Sequence, residues 1–371
     1  MIYLDNAATT MPKPPGVQAA VREALEHCAS LGRSGHQAAR RAAETAYACR
    51  SLAGKMFDTE AERVVFTLNA THGLNMAIRT LVKPGDRVVV SGYEHNAVLR
   101  PLHHLGANIQ VARSPLFDSG RALEAFEQAI DNSTKTVICC HASNVFGCVL
   151  PLEEIAALCR DRGVPLIVDA AQSAGILPLS MKNLGAAFIA MPGHKGLYGP
   201  QGTGLLLCGQ LPEPLMQGGT GSLSRSLEMP DFLPDRGEAG TQNMPGIAGL
   251  LAGLEFVQSY GIQSICEHET QLLEHLQAML SDIPGVQTFF NPINQTGVLS
   301  FAVRGMDCEI MGQWLADRGF AIRAGLHCAP LAHDTVGTLN TGTVRVSVSA
   351  FNTMEEVEAF AEVIEELKNA M

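Results

Sequence analysis

Asp169 and Lys195, 26 positions apart, are the residues whose types and settings best suit amine chemistry. Lys195 sits in MPGHKGLYGPQGTG (191–204), a glycine-rich stretch directly after an apolar run and beside His194. Glycines let the backbone approach a bulky ligand closely. A lysine at a strand end inside a pocket loses proton affinity by desolvation, and a neutral amine is what Schiff-base formation requires. Asp169 closes the apolar run 166–168 in LIVDAAQSAG, with Gln172 three residues on. A buried carboxylate needs a partner. A pyridinium nitrogen is one, because an ionised aspartate keeps it protonated and lets the ring draw electrons from a carbanion. Each residue also has a plainer reading, an exposed loop lysine and a helix-capping aspartate.

Three further positions follow apolar runs. In NATHGLN (69–75), hydroxyl and backbone N–H groups at a helix start form an anion seat fit for a phosphate, or Thr71 simply caps that helix. His95 in GYEHNAVLRP would stack on an aromatic ring or be a satisfied surface histidine, and Asn144 is open to the same two readings.

The elements that must position these residues are legible as alternating runs between 63 and about 207. Strands are expected at 64–67, 87–91, 109–113, 136–141, 165–169, 186–190 and 203–207, with helices between them. This is the pattern of an α/β protein built on a parallel sheet with both faces covered. In such sheets ligands gather beyond the carboxyl ends of the strands, which is where the residues above lie. After about 246 the pattern changes to helices at 247–260 and 266–280, short strands near 297–303 and 343–349, a helix at 308–318, and an amphipathic helix at 354–368 carrying Val357, Phe360, Val363, Ile364 and Leu367. A smaller α+β unit is expected there, giving a large domain over 15–245 and a small one over 1–14 and 246–371.

With 371 residues, 46% hydrophobic and 17% charged, the chain is long enough for two packed domains. A net charge of -11 without clustered Lys and Arg argues against nucleic acid. MIYLDNAATT has no signal-peptide pattern, and no apolar run is long enough to span a bilayer, so a cytoplasmic address is expected. The ten cysteines are dispersed, without CxxC pairs or zinc-ligand spacing, and read mostly as buried free thiols with no metal site.

Taken together, these segments resemble the class V aminotransferase group of enzymes dependent on pyridoxal 5′-phosphate (PLP), in its cysteine desulfurase and selenocysteine lyase branch. The ordered matches are YLDNAATT, RSGH at Arg33, NATHGLN, EHNAV, ASN at 142, VDAAQ, GHK, EAGTQN at 238, RAGLHCA at 323 and TVRVSVSAFNT at 343. The resemblance implies a fold-type I homodimer with a mostly parallel seven-stranded sheet in its large domain. Lys195 would carry PLP, Asp169 would pair with the pyridinium, Gln172 would donate to the phenolic oxygen and His95 would stack on the ring and take part in catalysis. Thr71, His194 and, from the neighbouring subunit, Thr241 would hold the phosphate. Asn144 and Arg345 would hold the substrate carboxylate, with Arg323 among the substrate-binding residues; without the resemblance, Arg345 reads as a surface residue.

Cys328 sets the implied reaction. It would attack the sulfur of L-cysteine, leaving alanine and a protein persulfide for an acceptor not identified by the sequence. It stands beside His327 and five residues after Arg323, and positive neighbours favour thiolate; alone, it also reads as a structural loop cysteine. Leu326, Pro192 and His72 depart from the usual pattern, which has histidine, serine and an acid there. Selenocysteine, cysteine sulfinate or another β-substituted amino acid therefore stays open as substrate, as do a transaminase and a non-catalytic binding protein on the same fold.

Overall fold

The computed structural model describes residues 1–31 and 34–370, without the side chains of 367–370. Arg33 of the RSGH segment and the Leu367 side chain lie outside the described residues.

The chain opens with β1 (Ile2–Tyr3), α1 (Pro15–His27) and α2 (Gln37–Met56). It then alternates through β2 (Val64–Thr67), α3 (Ala70–Leu81), β3 (Arg87–Ser91), α4 (Asn96–His104), β4 (Asn108–Ala112), α5 (Ser119–Ala129) and β5 (Thr134–Cys140). The series continues with α6 (Leu152–Asp161), β6 (Leu166–Asp169), α7 (Met181–Leu184), β7 (Phe188–Pro192) and β8 (Gly204–Cys208). Seven of these strands form one sheet in the order β2-β8-β7-β6-β5-β3-β4. All the expected strands are present, shifted by at most two residues. The sheet is parallel except for β8, which runs antiparallel to both β2 and β7.

Two-sided burial explains the apolar runs. Successive residues of a strand point to opposite faces, so a strand covered on both sides must be apolar throughout. In β3, Val88 and Val90 pack with Leu74, Ile78 and Leu102 of α3 and α4, while Val89 joins Phe66, Val137 and Leu166 in the core on the other face.

The remainder comprises α8 (Met244–Tyr260), α9 (Ile262–Ser281), β9 (Val286–Phe289), β10 (Val298–Val303), α10 (Cys308–Asp317), β11 (Phe320–Ala321), β12 (Arg323–Gly325), α11 (Pro330–Val336), β13 (Thr343–Ser347) and α12 (Met354–Ala370). A four-stranded antiparallel sheet in the order β12-β13-β10-β9 has its own core, in which Leu276, Leu299, Phe301, Val346, Phe360 and Ile364 are buried. The amino terminus belongs to this part of the molecule: β1 pairs with β11, and Leu4 is buried in the same core. No helix among the described residues is long and apolar enough to cross a membrane.

Candidate active site

Five strand ends of the large sheet open onto one cleft. Thr71 follows β2, His95 follows β3, Asn144 follows β5, Asp169 and Gln172 close and follow β6, and His194 and Lys195 follow β7; all line this cleft.

The turn carrying Lys195 is set by close backbone packing. A Cβ on Gly193 would lie 2.2 Å from Thr203 Oγ1, and one on Gly196 would lie 2.4 Å from the carbonyl of Ala174. The carbonyl of His194 accepts from the Thr10 N–H at 3.1 Å, the Thr9 hydroxyl at 3.1 Å and Lys13 Nζ at 2.8 Å. The amino-terminal segment thus clamps the peptide that precedes Lys195. Among the described residues the Lys195 amine has no hydrogen-bond or ion-pair partner. Burial pushes its pKa down to about 8 against the opposing pull of Asp169.

Asp169 is buried, and one carboxylate oxygen accepts from the Ala171 N–H at 2.9 Å. Burial raises its pKa, while that N–H and Lys195 favour the charged form. The residue caps a turn rather than a helix and also faces the cleft. Thr71 is not the cap of α3: Asn69 is, accepting from the His72 N–H at 2.9 Å, so the Thr71 hydroxyl is left at the open first turn. The His72 ring turns back to accept from the Leu68 N–H at 3.2 Å. His95 caps α4 by accepting from the Ala97 N–H at Nδ1, which leaves Nε2 to carry the proton of the neutral ring. Burial, then Lys195, holds its pKa near 4. Gln172 donates to the Ala7 carbonyl at 3.0 Å, and Pro192 lines the cleft with an apolar ring.

The cysteine segment meets this edge from the other side. Asn144 Nδ2 donates to the His327 carbonyl at 2.8 Å, and the Asn96 N–H donates to the Cys328 carbonyl at 2.8 Å. Of the ten cysteines, Cys328 alone is exposed. The expectation that His327 supplies positive charge is not met. Its ring is buried, stacks on His333 with centroids 5.7 Å apart, and lies with Nε2 3.2 Å from the Thr343 carbonyl. Burial and Arg345 push its pKa to about 2, so it is neutral. The positive charge nearby belongs to Arg323, which is exposed on β12 and faces Arg345 across the β12–β13 ladder.

Arg345 is not a surface residue: it is 2% exposed, with Nη2 2.6 Å from Asp5 Oδ1 and Nη1 donating to the Asn144 carbonyl at 2.8 Å. Thr241 lies apart from the cleft, in a groove shared with Leu68, His72 and Met216. Asp5 in YLDNAATT and Glu94 in EHNAV carry no local sequence signal of a role, yet both are engaged at the site. Glu94 is 0% exposed; its Oε1 accepts from Ser91 Oγ at 2.5 Å and the Cys140 N–H at 2.7 Å, beside Asp169.

A family model described as Aminotransferase class-V matches residues 2–360. The chain belongs to the class V aminotransferase family. Within this family it is similar to a probable cysteine desulfurase of Methanothermobacter thermautotrophicus, 35% identical with 99% of this chain and 94% of that protein covered. A probable cysteine desulfurase of Mycolicibacterium paratuberculosis is 34% identical over 97% of this chain but is longer, the match covering 54% of it. The solved apo structure of cysteine desulfurase from Thermococcus onnurineus superposes with a TM-score of 0.91 at 31% identity, covering 100% of this chain and 95% of that one. The class V family member described here therefore stands in the cysteine desulfurase branch.

Proposed function

We propose that this protein is a PLP-dependent cysteine desulfurase that converts L-cysteine to L-alanine and leaves the sulfur as a persulfide on Cys328. The observation that carries the reading is the convergence of an unpaired lysine, a buried aspartate and an exposed cysteine on one sheet edge.

The cleft chemistry fits the cofactor. Asp169 is a buried carboxyl with no side-chain cation bonded to it, suited to a pyridinium nitrogen, and Lys195 is an amine with lowered proton affinity. His194 Nδ1 is buried without a partner on the cleft wall, suited to a phosphate oxygen together with Thr71. When bound, PLP would supply an electron sink for negative charge developing at the substrate Cα.

The chain's own residues do the rest. Lys195, its pKa lowered by burial to about 8, takes the Cα proton and returns a proton as general base and acid. His95, neutral and capped in place, offers a flat face rather than a charge. Cys328 Sγ, as thiolate, forms a bond to the substrate sulfur while the substrate C–S bond breaks. That electron pair stays on carbon and is protonated to the methyl group of alanine. Asn144 and Arg345, joined by the Arg345 bond to the Asn144 carbonyl, would hold the substrate carboxylate, with Arg323 alongside.

Thr241 shares its groove with the exposed apolar side chains of Leu68 and Met216, which supports a homodimer in which Thr241 reaches the partner's phosphate site. We assign the large domain to 15–245 and the small one to 1–14 and 246–371, with α8 lying across their boundary, and place the protein in the cytoplasm. The test is to incubate the PLP-loaded protein with L-cysteine. Alanine should appear with one added sulfur on the Cys328 peptide by mass spectrometry. Alanine without sulfur on Cys328, or no alanine, refutes the reading.

A further inference from the structure

Arg345 is among the largest fully buried side chains of the molecule. A guanidinium in the interior is costly unless an opposite charge and hydrogen bonds compensate it. Here the compensation is thin. Nη2 meets Asp5, Nη1 meets the Asn144 carbonyl, and Nε has no partner. Burial works against the charge on Arg345, Asp5 is the carboxylate that favours it, and Arg323 opposes it. The same Asp5 also favours a charged Lys195, against Arg345 and Arg323. Among the described residues Asp5 is thus the one carboxylate in contact with Arg345, while Lys195 is served mainly by Asp169.

Asp5 differs from Arg345 in freedom. Its backbone is held beside β13 by the Asp5–Ser347 bridge, and the Asn6 side chain donates to the Ser347 carbonyl at 2.9 Å. Its side chain is nevertheless 19% exposed, against 2% for Arg345. A side-chain rotation can thus release Arg345 without moving the strand. The α-carboxylate of an amino acid has the same charge and geometry as the group it would replace.

We propose that Asp5 is a resident counter-ion for Arg345 in the substrate-free site, and that its carboxylate gives way to the α-carboxylate of the incoming amino acid. This rests on the reading of Arg345 as the carboxylate holder. The exchange keeps an anion on the buried guanidinium throughout, which Arg323, opposite Arg345 on the β12–β13 ladder, makes the more necessary. Asp5 is a positioning residue that sets substrate affinity by competition.

The experiment compares wild type with Asp5→Asn and Asp5→Ser, the second covering an asparagine that pairs with Arg345 or fails to fold. Without amino acid, the Tm of both variants should fall. L-Alanine should raise the Tm of the variants more than that of wild type, and KM for L-cysteine should drop about three- to tenfold with kcat unchanged. A risen KM, or an L-alanine shift no larger than in wild type, overturns the proposal. Arg345→Lys separates the two readings. If it leaves the L-alanine shift and KM untouched, Arg345 is not the carboxylate holder. If it weakens both while the Asp5 variants behave as wild type, only the counter-ion role fails.

Discussion

The backbone N–H of Asn96 donates to the carbonyl oxygen of Cys328 at 2.8 Å, fastening the cysteine turn to the first turn of the helix that His95 caps. The turn is strained as well as fastened: His327 and Cys328 hold φ values of 49° and 57°, in the left-handed region that side chains with a Cβ disfavour.

Substitutions of Cys328 should separate chemistry from strain. Cys328→Ala and Cys328→Gly should both lose persulfide formation by mass spectrometry. In urea denaturation Cys328→Gly should be more stable than Cys328→Ala by about 1 kcal/mol, because glycine relaxes the left-handed turn. Equal stabilities would show that the turn is not strained at this residue.

Gly196→Ala should disturb the lysine rather than the cysteine. The new methyl group would meet the Ala174 carbonyl at 2.4 Å, a backbone contact that cannot step aside. The expected result is a loss of about 2 kcal/mol or more of stability, with weakened PLP uptake followed by visible absorbance. Normal uptake at normal stability would mean that the turn tolerates a side chain.

Lys195 should leave a pH signature in the cofactor-free protein. Its folded pKa of about 8 lies below its ordinary 10.5, so between these values the unfolded chain binds more protons than the folded one. Stability from this residue therefore rises with pH across that window and is flat below it. Lys195→Met should remove that rise and be more stable than wild type at neutral pH, as read by Tm against pH.

Glu94 has the opposite sign. Burial lifts its carboxyl to about 8 from an ordinary 4.5, and Oε2 has no partner. Between these values the unfolded chain has released the proton and the folded one retains it, so its contribution to stability falls as pH rises towards 8. Glu94→Gln keeps an acceptor for Ser91 and Cys140 without the charge. Its Tm advantage over wild type should be small near pH 5 and largest near pH 8; a constant difference would show that Glu94 does not titrate in this range.

The sheet and much of the cleft were readable because their signals are local. A strand buried on both faces must be apolar along its length, and chemistry in such a sheet collects just past the strand ends. Thr71, His95, Asn144, Asp169 and Lys195 were found by that rule and do share one cleft. Helices α1 and α2 left no comparable trace. In α2 the buried face is largely alanine, at Ala39, Ala42, Ala46 and Ala53, which packs well against neighbours yet carries little hydrophobic contrast.

By itself the sequence determined the strands of the large sheet, the cleft-lining residues that follow them, and the family to which the chain belongs. Tertiary structure decided what those side chains meet. Arg345 and Asp5 stand 340 positions apart and Asn144 and His327 stand 183 apart, so neither contact has a local signature. The neutrality of His327 was likewise invisible, since its charge depends on burial against Thr343, His333 and Arg345 rather than on Cys328 beside it in the chain. Apolar runs and turn residues act over a few positions, whereas burial and charge pairing are set by whichever elements the fold brings together.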